Sequence, residues 1–280
     1  MRNFRANAML ALGVAIVLAF FSAGCGDGTG GGPGDRAGGG SGGGDGGGQT
    51  LTVGSDIPYP PFEQGNAPNY TGFDVELMEA VAQNIGREAK FIDTSFETIF
   101  SYLAYDSFEV VASAATITEK REKTVDFTNP YYLSEQAILV KEGSAIDSVE
   151  DLKGVKVGIQ QGTTGQEFVE ENAEAGEIRP YAQGTDAVDA VRVGLADAVV
   201  IDKPVAENVV SAGEGLKIAA AIPTDEKYGF AVAEGEKKLL RELNEGLEEA
   251  IDDGTYARIY QKWFKRQPPK IIGRATHEAS

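Results

Sequence analysis

Three groups of complementary charge lie where predicted β-strands end. Arg121 lies beyond a predicted strand at 108–112, and Asp202 directly follows another at 198–201. Residues 162–165 read Gly-Thr-Thr-Gly and precede a predicted helix. A guanidinium suits a carboxylate, free amides at a helix N-terminus attract anions, and a carboxylate accepts an ammonium group. Together, these groups are complementary to the backbone of a free α-amino acid.

Strands and helices alternate along the part of the chain that must position these groups. The first set contains predicted strands at 51–53, 90–92 and 108–112 and helices at 77–85 and 97–104. Asp74 is placed to cap the first helix and Gly86 to end it. The second set contains strands at 136–140, 156–159, 198–201 and 228–232 and helices at 166–172, 186–193, 204–210, 237–251 and 256–264. This alternation predicts parallel pairing with helices on both faces of each sheet.

Polar residues follow the buried strands of both sets. They are Ser55, Asp56, residues 113–116, residues 160–164 and Asp202. Ligands of open α/β sheets bind at the carboxyl ends of the strands. We therefore predict two lobes that share one binding site.

The N-terminal part of the chain carries a different signal. A positively charged start precedes a continuous apolar run over 9–21, which is shorter than the roughly 20 residues that cross a bilayer. This pattern is typical of a secretory signal peptide. The residues before Cys25, the only cysteine, resemble the lipobox of bacterial lipoproteins, although Ser22 replaces the usual leucine. We expect a signal peptide over 1–24 and a lipid on Cys25; a plain signal peptide that leaves a free thiol is the alternative.

A glycine-rich segment separates Cys25 from the globular sequence. Residues 26–48 carry almost no apolar side chains, so 25–49 is expected to form a lipidated, disordered linker. The formal net charge of −18 argues against nucleic acid or anionic lipid as a partner, because no basic patch neutralises phosphates. The remaining residues, about 220, are enough for one large or two small domains.

Six short motifs occur in one order between residues 51 and 264. They are Gly-Phe-Asp-Val at 72–75, Thr-Ile-Thr at 116–118 with Arg121, Val-Asp-Phe-Thr-Asn-Pro-Tyr-Tyr at 125–132, Asp-Leu-Lys-Gly at 151–154, Gln-Gly-Thr-Thr-Gly at 161–165 and Asp-Gly-Thr-Tyr at 253–256. As a set they resemble the periplasmic polar amino-acid-binding proteins of ABC importers, solute-binding protein family 3. Glu119 departs from the pattern, since proline commonly follows Thr118 there.

The resemblance implies an α/β, two-lobed periplasmic-binding-protein fold of type II. Each lobe is expected to be a mostly parallel sheet flanked by helices, joined by two hinge strands. The expected bounds are 50–132 and 233–266 for lobe 1, 137–226 for lobe 2, 133–136 and 227–232 for the hinge, and 267–280 for a loose tail.

The resemblance also implies roles for ten pocket residues. The α-carboxylate is expected at Arg121, Thr116, Thr163 and Thr164, the α-ammonium at Asp202 and the Ala114 carbonyl, and the ligand side chain at Asp56, Tyr59, Phe96 and Gln160. Structural explanations stay open for some of them. Asp202 could cap the helix near Pro204, Asp56 could organise a proline-rich turn, and Tyr59 and Phe96 could belong to the core.

We therefore expect a transport receptor outside the cytoplasm, anchored to the membrane through Cys25. It would act as a monomer, without metal or cofactor, and deliver a polar amino acid to an ABC permease. Asp56 between aromatic walls favours basic amino acids over glutamine. One alternative is an enzyme like the cyclohexadienyl dehydratases of this fold, but the only histidine, His277, lies in the tail. The other is an amino-acid-sensing partner of a signalling receptor.

Overall fold

The computed structural model describes residues 49–213 and 215–269, which fold around two five-stranded sheets. The predicted signal peptide, Cys25 and the linker up to residue 48 lie outside the described residues, as do residues 270–280 of the predicted tail. Gln49, assigned to the linker from sequence, already belongs to the first strand. In the described part of the chain, no helix has the length and apolar character needed to span a membrane.

Twelve strands are present in the described residues. They are β1 (Gln49–Ser55), β2 (Gln64–Asn66), β3 (Asn69–Thr71), β4 (Arg87–Asp93), β5 (Val110–Val111), β6 (Val125–Phe127), β7 (Tyr132–Lys141), β8 (Lys156–Gln160), β9 (Glu177–Tyr181), β10 (Ala198–Asp202), β11 (Leu216–Tyr228) and β12 (Ala231–Ala233). Strands β2 and β3 form a separate hairpin.

The helices pack on the two sheets. They are α1 (Phe73–Asn84), α2 (Phe96–Ala104), α3 (Thr164–Asn172), α4 (Gly184–Val193), α5 (Lys203–Ser211), α6 (Lys237–Asp252) and α7 (Thr255–Phe264). Helices α1, α2, α6 and α7 lie with the first sheet and α3, α4 and α5 with the second. We call each sheet with its helices a lobe.

Both sheets are mixed, with equal numbers of parallel and antiparallel pairings. The first has the order β4-β1-β5-β12-β6, and the second has the order β11-β7-β10-β8-β9. Strand β1 is parallel to β4 and β5, whereas β12 is antiparallel to β5 and β6. Strand β8 is parallel to β9 and β10, whereas β7 is antiparallel to β10 and β11. The expectation of mostly parallel sheets was therefore wrong, because strands that arrive from the other lobe are not constrained by a helical crossover.

The chain passes between the two sheets twice, at residues 128–131 and 229–230. Strand β7 starts beside the first crossing and β11 ends beside the second, and the two pair with Tyr132 opposite Tyr228. The predicted hinge segment 133–136 follows the first crossing, and 227–232 includes the second. The lobe boundaries and the hinge motion stay predictions.

Sequence reasoning missed or misplaced several elements. Strands β2, β3, β6 and β9 were not predicted, nor was most of β11, where exposed and buried residues alternate only over the last four positions. The single strand expected at 228–232 is divided between the end of β11 and β12. Helix α1 is capped by Gly72 rather than by Asp74. Gly72 has φ +141°, and a Cβ there would lie 2.0 Å from the carbonyl oxygen of Phe62, so only glycine fits.

An aromatic cluster covers the crossings between the lobes. Its members are Phe62, Phe73, Tyr131, Tyr132, Tyr228, Phe230, Tyr256, Tyr260 and Phe264. Tyr132 and Tyr228 stack with ring centroids 5.5 Å apart, and Phe62 meets both rings edge-on. Aromatic pairs of this geometry add to the free energy of burial. The cluster therefore fixes α7 and the loop before α1 against the start of β7 and the end of β11.

Phe62→Ala should lower the free energy of unfolding by about 3–5 kcal/mol, because it opens a cavity under fully buried rings. Urea unfolding measures this change. Tyr105→Ala is the matched control, since Tyr105 is 82% exposed, and it should change stability by less than about 0.5 kcal/mol. Equal effects of the two substitutions would contradict the role given to the cluster.

Candidate ligand-binding site

The structure brings all ten predicted pocket residues to one narrow cavity between the lobes. Its walls are Asp56, Tyr59, Phe96, Ser113, Ala114, Thr116, Arg121, Gln160, Thr163, Thr164 and Asp202. Sequence reasoning did not single out Ser113, although it lies in the polar stretch after β5. Its free volume is about 20 Å³, enough for a single water molecule, so its walls must move apart to admit a larger molecule.

Arg121 forms the positive pole of the cavity. Its Nη1 donates to the Thr116 carbonyl at 2.7 Å and its Nη2 to the Gly162 carbonyl at 3.1 Å, so the guanidinium touches both lobes. The rings of Phe96 and Phe100 lie 5.2 and 4.8 Å from its Cζ. No carboxylate within residues 49–213 and 215–269 forms an ion pair with Arg121. A guanidinium has five N–H donors, so donors remain for an anion.

The N-terminus of α3 lies on the same side of the cavity. Thr163 caps this helix, and its hydroxyl accepts the N–H of Gln166 at 3.2 Å. The other amides of a first turn have no acceptor within the helix, and the helix dipole favours negative charge there. Arg121 and this helix end therefore define a site for an anionic group.

Asp202, at the end of β10, forms the negative pole. Its Oδ2 accepts the Tyr59 hydroxyl at 2.7 Å and its Oδ1 accepts Gln136 Nε2 at 2.6 Å. Burial, with a contribution from the charge of Glu226, raises the pKa of Asp202 to about 7. Asp202 is the N-cap residue of α5, but its side chain makes no capping bond. The carboxylate therefore serves the cavity rather than the helix.

The conformation of Ala114 depends on a carboxylate that sequence reasoning assigned to a helix cap. Ala114 has φ +45°, which costs a residue with a Cβ about 1–2 kcal/mol. Its N–H donates to Asp74 Oδ2 at 2.7 Å, and the Tyr131 hydroxyl donates to the same oxygen at 2.6 Å. Asp74 is fully buried. It therefore holds the strained turn that brings Ala114 to the cavity.

Asp56 lies at the other end of the cavity, where its carboxylate reaches the second lobe. Gln160 Nε2 donates to its Oδ2, and Gln183 Nε2 donates to its Oδ1 at 2.9 Å. The Asp56 N–H donates to Ser113 Oγ at 3.0 Å. Burial raises the pKa of Asp56 to about 6, although the two amide hydrogen bonds oppose this change. The carboxylate is thus an element of the pocket and not only of the proline-rich turn.

Tyr59 and Phe96 belong both to the cavity wall and to the buried core, being 8% and 7% exposed. Their structural and pocket roles therefore coexist. Phe100 was missed, although its position one helical turn after Phe96 was a usable signal. Gln136 and Gln183 carry no sequence pattern that marks them.

A second, wider hollow is lined by residues of β7, β11 and the start of α5. Its walls include Glu135, Lys203, Glu207, Glu226 and Arg266. Lys203 and Glu135 form an ion pair in its wall, with Nζ 2.7 Å from Oε2, so these charges neutralise each other. We therefore assign the ligand to the smaller cavity.

Two α/β lobes that enclose a cation at one pole and a carboxylate at the other define a solute-binding protein. The chain belongs to the bacterial extracellular solute-binding proteins, family 3, whose model matches residues 51–266. This family is extracytoplasmic. The family and the fold predicted from the sequence motifs are therefore confirmed.

Named relatives of the chain bind amino acids. The putative ABC transporter arginine-binding protein 2 of Escherichia coli K12 is 34% identical over 224 residues, which cover 78% of this chain and 92% of that protein. The L-cystine-binding protein TcyJ of the same strain is 33% identical over 219 residues, which cover 77% of this chain and 82% of TcyJ. The solved structure of an ancestral arginine-binding protein bound to glutamine is 39% identical with a TM-score of 0.74. The match covers 78% of this chain and 98% of that protein.

The stability of the protein should fall as pH rises from about 5 to about 8, and Asp202 should carry part of this change. Its pKa in the folded protein, about 7, lies above the ordinary 3.8. The folded state therefore holds a proton that the unfolded state has lost, and ionisation near neutral pH costs stability. Urea unfolding measures the change. Over this pH range, the free energy of unfolding of Asp202→Asn should fall by about 1–3 kcal/mol less than that of the wild type.

Asp252→Asn is the control, since Asp252 is exposed, and its pH profile should match that of the wild type. Parallel profiles for Asp202→Asn and the wild type would show that Asp202 does not titrate in this range.

Proposed function

We propose that this protein captures one polar α-amino acid outside the cytoplasm and delivers it to the permease of an ABC transporter. One observation carries the proposal: Arg121 and Asp202 line the same cavity without pairing with each other. A free amino acid carries a carboxylate and an ammonium on one carbon, so it satisfies both poles at once. Neither a sugar nor a metal ion has this pair of charges.

Capture by closure of the lobes is supported by contacts that cross the cleft. Tyr59 of the first lobe donates to Asp202 of the second, and Arg121 of the first donates to Gly162 of the second. A ligand that contacts both lobes favours the closed form by its difference in affinity for the two forms. The closed receptor would then be the form that the permease recognises.

The ligand side chain is proposed to be basic. Asp56 lies at the cavity end where that side chain would extend, and Tyr59 and Phe96 supply aromatic surface. An ionised Asp56 attracts a cation, whereas the amides of Gln160 and Gln183 around it also suit a neutral polar group. A solved relative described as the arginine-, lysine-, histidine-binding protein ArtJ from Geobacillus stearothermophilus is 32% identical with a TM-score of 0.74, covering 79% of this chain and 97% of ArtJ.

We propose binding without catalysis. A 39% identical structure is described as an ancestral amino acid-binding protein that is a precursor of cyclohexadienyl dehydratase. The named relatives are nevertheless binding proteins, and the dehydratase alternative is not favoured. The cavity carboxylates Asp56 and Asp202 each accept hydrogen bonds from side chains of the protein, which fix their orientation in the cavity wall.

The N-terminal sequence supports a membrane anchor. We propose that residues 1–24 are removed and that Cys25 carries the lipid. The glycine-rich linker of roughly 23 residues would then space a monomeric receptor about 25–30 Å from the membrane surface.

Arginine, lysine or histidine should raise the melting temperature of the protein, with glutamine giving a smaller shift and acidic amino acids none. The reason is the carboxylate of Asp56 at the side-chain end of the cavity. Differential scanning fluorimetry with the common amino acids measures the shift. Stabilisation by acidic amino acids alone would overturn the ligand class.

Arg121→Ala should remove the shift for every amino acid, because at least about 100-fold in affinity is lost with a buried charge-assisted contact. Lys123→Ala removes an exposed cation from the same turn and should leave the shift unchanged. Retained binding by Arg121→Ala would show that another group holds the carboxylate.

Cys25→Ala should move the protein from the detergent phase to the aqueous phase when cell extracts are partitioned in Triton X-114. Without the thiol, no lipid can be attached. Ser41→Ala, within the same linker, should partition like the wild type. If Cys25→Ala also stays in the detergent phase, the lipid anchor is wrong.

A further inference from the structure

Glu226 is a buried carboxylate that sequence reasoning did not assign to the site. It lies in β11, two residues before Tyr228, and is 7% exposed. Four side chains donate to it: Thr116 Oγ1 at 2.7 Å and Thr164 Oγ1 at 3.2 Å to Oε2, and Gln136 Nε2 at 3.0 Å and Thr224 Oγ1 at 3.2 Å to Oε1. Among the described ion pairs, none includes Glu226.

The contacts of Glu226 join three parts of the molecule. Thr116 follows β5 of the first lobe, and Thr164 is the first residue of α3 in the second lobe. Glu226 lies near the end of β11, beside a crossing between the lobes. Both threonines line the ligand cavity, whereas Glu226 stands behind them. One carboxylate group therefore holds a hydroxyl from each wall of the cavity.

The chemistry of these contacts fixes the direction of the hydrogen bonds. An ionised carboxylate only accepts, and a hydroxyl has a single proton to donate. Thr116 and Thr164 therefore give their protons to Glu226, and their remaining lone pairs are left for other partners. Toward a ligand in the cavity, both hydroxyls can then only accept.

Glu226 is also linked to the negative pole. Gln136 Nε2 donates both to Asp202 Oδ1 at 2.6 Å and to Glu226 Oε1 at 3.0 Å. The two carboxylates thus share one amide group. The sequence-based expectation placed the ligand's carboxylate at Thr116 and Thr164. Hydroxyls that give their protons to Glu226 instead offer acceptors, which, together with Asp202, favour the ammonium group and leave the carboxylate to Arg121 and the amides of α3.

We propose that Glu226 is a positioning residue for ligand binding: from the hinge side it holds the hydroxyl protons of Thr116 and Thr164, so that both side chains accept from the ligand's ammonium group. This inference rests on the proposed function, because it requires a ligand with an α-ammonium group. It assigns part of the selectivity for amino acids to a residue that does not line the cavity.

Glu226→Gln tests the proposal, because it keeps the shape and replaces one acceptor oxygen by an NH2 donor. An amide facing the threonines would turn a hydroxyl proton toward the ammonium group. Calorimetric titration with the amino acid that gives the largest thermal shift should show a dissociation constant about tenfold higher or more. Asp225→Asn removes the same charge from the exposed neighbouring residue and should stay within about twofold.

A double-mutant cycle separates positioning from general damage. Thr116→Val removes the hydroxyl through which Glu226 is expected to act. In the Thr116→Val background, Glu226→Gln should weaken binding by a clearly smaller factor than in the wild type. The preference for the amino acid over its 2-hydroxy analogue should also shrink about tenfold in Glu226→Gln, because a hydroxyl can adapt to a donor.

Thermal unfolding without ligand checks that each variant folds. Should Glu226→Gln not fold, Thr116→Val combined with Thr164→Val breaks the same two bonds, and it should weaken binding by about tenfold or more. Wild-type affinity in whichever of these two variants folds, or full additivity in the cycle, overturns the role of Glu226. If the wild type binds no amino acid, the proposed function itself fails; if it binds and Glu226→Gln binds equally, only this inference fails.

Discussion

Two opposite charges that face one cavity but do not neutralise each other place the strongest constraint on this structure. Arg121 is held by backbone carbonyls and phenyl rings, and Asp202 by a tyrosine hydroxyl and an amide. Removing charges from water without pairing them is expensive. The two sheets must therefore keep the poles apart, at a cost that a molecule carrying both complementary charges would offset. Stability and ligand recognition are linked through this one arrangement.

Buried acids behind the cavity wall are hydrogen-bonded to the residues that line it. Beneath the cavity, Ser113 Oγ donates to Glu63, a fully buried carboxyl whose pKa is raised well above its usual value by burial. Asp74, close by, holds the backbone of Ala114 in a left-handed conformation. Neither Glu63 nor Asp74 lines the cavity. They shape the cavity through hydrogen bonds, whereas Arg121, Asp202 and Asp56 are the ionisable groups in its wall.

The sequence was most informative where a local pattern reflects local physics. The helical spacing of apolar residues correctly predicted α1 and α6, and the polar residues at strand ends include Asp56, Gln160 and Asp202 of the cavity wall. Tyr59 and Phe96, in contrast, were expected there only through the family resemblance. Most of strand β11 was not predicted, because its segment Thr-Asp-Glu-Lys has the composition of a loop. It forms a strand only by pairing with β7, which is distant in the sequence. Asp74 was taken for a helix cap because its true partners, Ala114 and Tyr131, are far away in the chain. Contacts of this kind leave no periodic trace.

The paired crossings between the lobes have a mechanical consequence. If the lobes close as proposed, two adjacent antiparallel segments should bend less readily than a single one and should favour rotation about one axis. A substitution on the outer surface of these segments would change how readily the lobes close, without changing the residues that line the cavity. Since apparent affinity scales with the fraction of molecules able to close, evolution can adjust the sensitivity of such a receptor separately from its choice of nutrient.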